Sequence, residues 1–288
     1  MTVALITGAN SGIGRSAAVD LAAKGWTIYG SMRSLDKGGK LGAMAAEAGV
    51  EVLPVVCDVT DTASVETALA SVVAEAGHID VLVNNAGVGG NGVVEEASIE
   101  DFAEVMDVNL HGAVRCIQAV MPHMRERGSG CIINVSSVAG VIGAIAQAPY
   151  VASKWALEGL TEELAVEVAD QGVRVALIEP GIVKTAILAK NTEAPNESGA
   201  YDAIYRRMFA MYMAGLKDPG HPSEVAEVIH EIVTTSKPRL RYTCGWGGPE
   251  LSSRRLAISD EQWISLGNVA DDDAYAARFS ELFGLDLS

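Results

Sequence analysis

Aromatic side chains are scarce in this chain: Phe, Tyr and Trp make up 5% of its 288 residues, and only 4 are Phe. The core must then be filled by Ala, Val, Ile and Leu within a hydrophobic share of 49%, a mixture suited to parallel strands buried under helices. Basic residues are few as well, 21 Lys and Arg against 37 Asp and Glu, for a net charge of -16. A surface that takes nucleic-acid phosphates needs clustered cations, so that partner class is excluded, and docking of an acidic carrier protein is disfavoured. The 4 cysteines, Cys57, Cys116, Cys131 and Cys244, stand far apart with no C-x-x-C, and the 5 histidines lack zinc-site spacing. No metal site is expected, and the thiols read as small core residues in a reducing compartment. No apolar run approaches the roughly 18 to 20 residues of a membrane span. The opening "MTVALITGANSGIG" has no basic n-region or cleavage site. A soluble cytoplasmic protein is expected.

What the chain does have is alternation. Strand-length apolar runs, "TVALITG", "WTIYGSM", "VEVLPVVCDV", "IDVLVNNAG", "GCIINVSS" and "VRVALIEPG", are separated by longer stretches with helical spacing, among them Gly12 to Lys24, Ala63 to Ala76, Ile99 to Arg127 and Tyr150 to Gln171. Each parallel crossover needs a covering helix, so this order predicts an α/β fold: a Rossmann-type, doubly wound parallel sheet in three αβα layers. No linker or repeat interrupts it, which predicts one domain, residues 1–248, with a short last strand at "LRYTCG". After Gly181 the pattern loosens. A substrate loop or lid is expected at about 187–217, and residues 249–288 read as a C-terminal helical extension with helices near Asp260 to Leu266 and Asp272 to Phe283.

The first strand runs into "TGANSGIG", which places Gly8, Asn10, Ser11, Gly12, Ile13 and Gly14 at the start of a helix. A tight turn needs residues without a Cβ, and the free N–H groups of a helix start attract a pyrophosphate. This is the chemistry of a dinucleotide site, although the spacing is G-x-x-x-G-x-G rather than the commoner G-x-G-x-x-G. About 20 residues further on, an acid would recognise a ribose 2'-OH and an arginine a 2'-phosphate. Here the second strand ends "GSMRS", with Met32 and then Arg33, flanked by Ser31 and Ser34; Asp36 stands close by. The expected cofactor is NADP(H) in preference to NAD(H).

Tyr150 and Lys154 lie four residues apart in "PYVASK" and so share one side of a helix whose first turn Pro149 suits. A phenol titrates near 10, too high for proton transfer at neutral pH, and a nearby ammonium favours its ionised form. The pair is a candidate proton-transfer group. Ser136 and Ser137 close the preceding strand, at the sheet edge where ligands bind.

In order, "TGANSGIG", "CDV", "NNAG", "NVSS", "YVASK" and "EPG" complete a resemblance to the short-chain dehydrogenase/reductase family over about residues 2 to 245. The resemblance implies a proton-relay Asn109, a substrate-orienting Ser137 thirteen positions before the general acid/base Tyr150, and a Lys154 that binds the nicotinamide ribose and lowers the tyrosine's pKa. It further implies cofactor contacts from Asp58, Val59, Asn85, Ala86, Gly87, Pro180, Gly181, Ile182 and Thr185. Homodimers or homotetramers are the family's usual assemblies. "SSVAGVIG" and "IEPGIVKT" look most like the branch holding retinol dehydrogenases and estradiol 17-beta-dehydrogenase.

The expected reaction interconverts a carbonyl and an alcohol by hydride transfer. Val141, Ile142 and Ile145, with Met208 and Tyr212 from a Met-rich helix that also carries Phe209, Met211 and Met213, form the expected substrate wall. An apolar alcohol or ketone, steroid-like or retinoid-like, suits it. The alternatives are a β-ketoacyl or small-polyol reductase of the same family, and a non-catalytic NADP(H) sensor or scaffold.

Overall fold

The runs of Val, Ile and Leu become strands: β1 (Val3–Ile6), β2 (Thr27–Met32), β3 (Leu53–Val56), β4 (Val81–Asn84), β5 (Gly130–Val135), β6 (Val173–Pro180) and β7 (Arg241–Cys244); the inner ones are buried on both faces and the edge strands β3 and β7 are more open. The structure is a computed structural model and describes residues 1–185 and 195–287. All neighbouring strands pair in parallel in the order β3-β2-β1-β4-β5-β6-β7. The order reverses between β1 and β4. There the crossovers leave toward opposite sides and open a crevice at the carboxyl ends of the strands.

Helices cover both faces, as the alternation predicts. On one side lie α1 (Gly12–Ala23), α2 (Gly39–Glu47) and α8 (Pro222–Thr234), which bury Ala17, Leu21, Leu41, Val225 and Ile229 against the sheet. On the other lie α3 (Thr62–Ala76), α5 (Gly112–Arg127) and α6 (Ala148–Glu167), burying Val65, Leu69, Ile117, Val120 and Leu164. Helix α4 (Ile99–Met106) starts at a capping box between Ser98 and Asp101. The single helix expected from Ile99 to Arg127 is divided by a π turn at Asp107–His111. Helix α2 has only two buried side chains, Leu41 and Ala45, too weak a stripe to be singled out by periodicity.

A third cluster sits beyond the carboxyl ends of the strands. Helix α7 (Asp202–Lys217) contributes Tyr205, Met208 and Met211; of three C-terminal helices, α9 (Gly248–Arg255) contributes Leu251, α10 (Asp260–Ile264) packs the partly buried Trp263 against the cluster, and α11 (Asp272–Phe283) contributes Tyr275, Phe279 and Phe283. Residues 187–194 of the expected lid lie outside the described residues.

Candidate active site

The glycine turn after β1 is built without room for side chains. Gly8 has φ +68, and a Cβ there would meet the Ala86 Cα at 2.9 Å; at Gly14 it would meet Asn85 Nδ2 at 2.4 Å and Gly8 O at 2.6 Å. Thr7 ties this turn to the "NNAG" loop: its Oγ1 accepts the backbone N–H groups of Asn85 and Ala86, both at 2.9 Å, and Asn85 Nδ2 donates to Thr7 O at 2.8 Å. Ser11 caps α1 without a side-chain hydrogen bond, and no acid occupies the first turn. The N–H groups and positive dipole end of α1 are therefore left for an anion. These residues fit a dinucleotide pyrophosphate. Gly14 only packs the turn and does not face the crevice, whereas Gly8, Asn10, Ser11, Gly12 and Ile13 line a cavity of about 400 Å³.

At the other end of that cavity, Ser137 follows β5 and accepts the Ala139 N–H at 3.1 Å, with its hydroxyl 3.5 Å from Pro180 O. Tyr150 and Lys154 project from the first turns of α6. Lys154 is buried, donates to Val135 O at 2.8 Å, and holds its Nζ 5.6 Å from the centre of the Tyr150 ring. All three line the cavity with Asn85, Ala86, Gly87, Pro180, Gly181, Ile182 and Thr185. Gly181 has no alternative, since a Cβ there would lie 1.9 Å from Trp246 O.

A serine, a phenol and an ammonium thus converge beside a glycine-rich anion cradle. The short chain dehydrogenase family pattern matches residues 2–196. Human 17-beta-hydroxysteroid dehydrogenase type 1 is 40% identical over 255 residues, covering 84% of this chain and 76% of that one. Bovine retinol dehydrogenase 8 is 36% identical over 249 residues, covering 82% and 79%. A short-chain dehydrogenase from Streptomyces avermitilis superposes with a TM-score of 0.75 at 31% identity, covering 93% of this chain and all of that one. The chain belongs to the short-chain dehydrogenase/reductase family. It is an oxidoreductase of the alcohol dehydrogenase and ketoreductase type, acting with a nicotinamide cofactor.

Within this dehydrogenase, the side chain of Asn109 does not reach the cavity. The π turn buries it, where Oδ1 accepts Val88 N–H at 2.8 Å while Nδ2 donates to Val88 O at 2.9 Å and to Ser153 Oγ at 3.0 Å. Ser153 Oγ in turn donates to Tyr150 O at 2.7 Å. The amide therefore links the "NNAG" segment to the catalytic helix, with both Nδ2 hydrogens engaged. Ser153, which stands between Tyr150 and Lys154, is the missed partner.

Proton affinities correct a second expectation. Burial pushes the Tyr150 phenol above its ordinary value, against the downward pull of a hydrogen bond with Ser137. Burial likewise draws the Lys154 ammonium down to about 8, with the Glu158 charge opposing. In this structure burial, opposed by the Ser137 hydrogen bond, sets the direction of the phenol's shift.

Near β2, Arg33 lines the cavity with Lys37, a cation that sequence reading passed over although it stands four residues along in the same loop. Asp58 and Val59 line the same cavity. Burial raises the Asp58 carboxyl, but hydrogen bonds from Thr60 and the charges of Arg33 and Arg115 bring it below its usual range. Asp36 is outside the cavity wall, accepting from Ser34 Oγ at 3.3 Å; Ser31 is fully buried and faces no ligand space.

Of the expected substrate wall, Ile142 and Tyr212 line the cavity, joined by Val138, Ala144, Val183 and Met211. Val141, Ile145 and Met208 do not. The first two pack against the third core cluster, and Met208 is wholly buried in it. Met208, Met211 and Tyr212 share one face of α7, and the last two, one turn further along, both join the core and border the cavity. Met213 is 64% exposed.

Proposed function

We propose that this enzyme interconverts an apolar secondary or primary alcohol with its carbonyl, on a substrate of steroid or retinoid size, using NADP(H). The convergence of Ser137, Tyr150 and Lys154 at an apolar cavity end carries the reading. A bound nicotinamide supplies or accepts the hydride. Tyr150 gives its phenolic proton to the oxygen that develops charge at the carbonyl, and its raised proton affinity keeps that proton in place until the charge appears. Ser137 donates a hydrogen bond to the same oxygen. Lys154 holds a positive charge beneath the phenol, and Asn109 fixes α6 through Ser153. Arg33 and Lys37 put two cations on the cavity wall against the single carboxylate of Asp58, which supports the 2'-phosphate form.

Ile142, Met211 and Tyr212 at the other end, together with the names of the steroid and retinol relatives, support a bulky apolar substrate. Residues 1–248 form the catalytic unit in this reading. The extension, 249–288, backs the substrate loop: the Trp263 ring lies 3.7 Å from where a Gly143 Cβ would stand. Four buried, free cysteines favour a reducing, cytoplasmic setting. Exposed Trp155 and Val166 on α6 favour a homodimer or homotetramer.

Oxidation of NADPH at 340 nm with apolar ketones tests the reading. Tyr150→Phe should lower kcat by roughly 10²- to 10⁴-fold while dinucleotide binding, followed by quenching of tryptophan fluorescence, stays. Near-normal turnover of that variant would remove Tyr150 from the role.

A further inference from the structure

Behind Lys154 lies a charged cluster that the reaction above does not use. Glu158, the next residue along that side of α6, has a 7% exposed side chain, and Glu179 near the end of β6 has one 2% exposed. Arg241 of β7 enters between them: Nε lies 3.0 Å from Glu158 Oε2 and 3.4 Å from Glu179 Oε1, and Nη2 lies 2.9 Å from the exposed Glu162 Oε2. Two buried carboxylates share one guanidinium that is itself 38% exposed and so partly screened by water. The interior is left with surplus negative charge.

The surplus faces the active site. Glu158 Oε2 is held by Arg241, but Oε1 points to the other side, where a Cβ on Gly140 would meet it at 3.2 Å and Ser136 Oγ at 2.8 Å. Ser136 begins the segment whose next residue is Ser137. Lys154, meanwhile, donates to Val135 O, a neutral acceptor. A buried ammonium needs a counter-charge as well as a hydrogen bond, or it gives up its proton.

We propose that Glu158 is a positioning residue for this reaction, the buried counter-charge that keeps Lys154 protonated beneath Tyr150, with Arg241 and Glu179 fixing where that charge sits. The inference rests on the assignment of Tyr150 and Lys154 above. The titratable groups around Lys154 are Tyr150 and Glu158 on its own helix, with Glu179 of β6 and Arg241 of β7 behind. Strand β5 and its continuation present neutral groups, Val135 O and Ser136 Oγ. Burial alone draws Lys154 down, and the Glu158 charge is what opposes it. Burial and the neighbouring Glu179 raise Glu158's own proton affinity, while Ser136 and Arg241 hold it down. The Glu158 proton affinity stays above the ordinary carboxyl value, and Arg241 limits that rise.

Lysine labelled with 13C at Cε, followed by NMR through a pH titration of the whole protein, reads Lys154 directly; the resonance is assigned by its loss in Lys154→Met. The wild-type midpoint is expected at about 8. Glu158→Gln keeps the shape and the acceptor for Arg241 but removes the charge, and should lower the midpoint by about one pH unit, a tenfold loss of proton affinity. Glu158→Asp keeps the charge, withdraws it by one methylene and should give a smaller fall; Glu162→Gln should give none. The alkaline limb of ketone reduction should move with the midpoint, while a purely structural loss would lower the rate at every pH. An unmoved Lys154 midpoint in both folded Glu158 variants overturns the proposal. A wild-type enzyme inactive on every carbonyl would overturn the functional reading instead, and the NMR midpoints would still decide the counter-charge.

Discussion

Arg33 and Lys37 are both exposed on a short loop, yet both line the cavity, and in the proposed reading they would give two cations to one end of the dinucleotide. Charge-assisted hydrogen bonds of this kind contribute about 1.5–3 kcal/mol when shielded and less in water. Arg33→Asp should raise the KM for NADPH by roughly ten- to a hundredfold, and should improve NADH because a carboxylate accepts from a ribose 2'-OH. Steady-state kinetics with both nucleotides measure it; an unchanged preference would take Arg33 out of recognition. Tyr150, Lys154, Ser137 and the glycine turn were legible in the sequence because their chemistry depends on local spacing. Lys37, and the bond between Asn109 and Ser153, were not, since both depend on how separate elements meet. Val141, Ile145 and Met208 were assigned to the right elements, but spacing cannot say whether an apolar face meets a ligand or a neighbouring helix.

Helix α7 is fastened to α11 at one point. Arg207, with a 6% exposed side chain, places Nε 3.1 Å from Asp272 Oδ1 and its guanidinium carbon 5.0 Å from the centre of the Tyr275 ring, while Arg206 takes the other Asp272 oxygen at 2.8 Å. Asp272 also occupies the first turn of α11, where negative charge is favoured. Loosening this contact should displace Met211 and Tyr212. Arg207→Met, similar in length but uncharged, should lower kcat/KM for a bulky apolar ketone by roughly ten- to a hundredfold, the usual effect of an ångström-scale misplacement, with the KM for NADPH unchanged. An equal loss on a small ketone would contradict the idea. At this scale the strands and their parallel sense follow from alternation, their order emerges only in the structure, and α10 and α11 fall where expected. Helices α2 and α9 were not anticipated, because each buries only two or three side chains.

Taken whole, the molecule has two sheet-face cores and a third that joins the substrate loop, α7 and the extension. Leu251, Phe279 and Phe283 are almost wholly buried in that third core. Each contributes about 1.5–3 kcal/mol, so losing several approaches the net stability of a domain, about 5–15 kcal/mol. Ending the chain after Gly248 should uncover Tyr205, Met208 and Ile142, raise binding of a hydrophobic dye and lower the melting temperature. A truncated protein that melts like the full chain would show the extension to be an appendage.

The pairing of β1 with β4 joins residues 77 positions apart, as in the bond from Val3 N–H to Asp80. Once that pair forms, the phosphate cradle and the "NNAG" loop can meet; Pro180, Gly181 and Thr185 then complete the cofactor wall, and α11 ends about 100 residues further along. At elongation rates of about 5–20 residues per second, the cofactor half leaves the ribosome roughly 5–20 s before the last helix of the substrate half. Within that interval the apolar face of α7 is made but not yet covered, so the nascent chain should be able to hold a dinucleotide before it can discriminate a substrate.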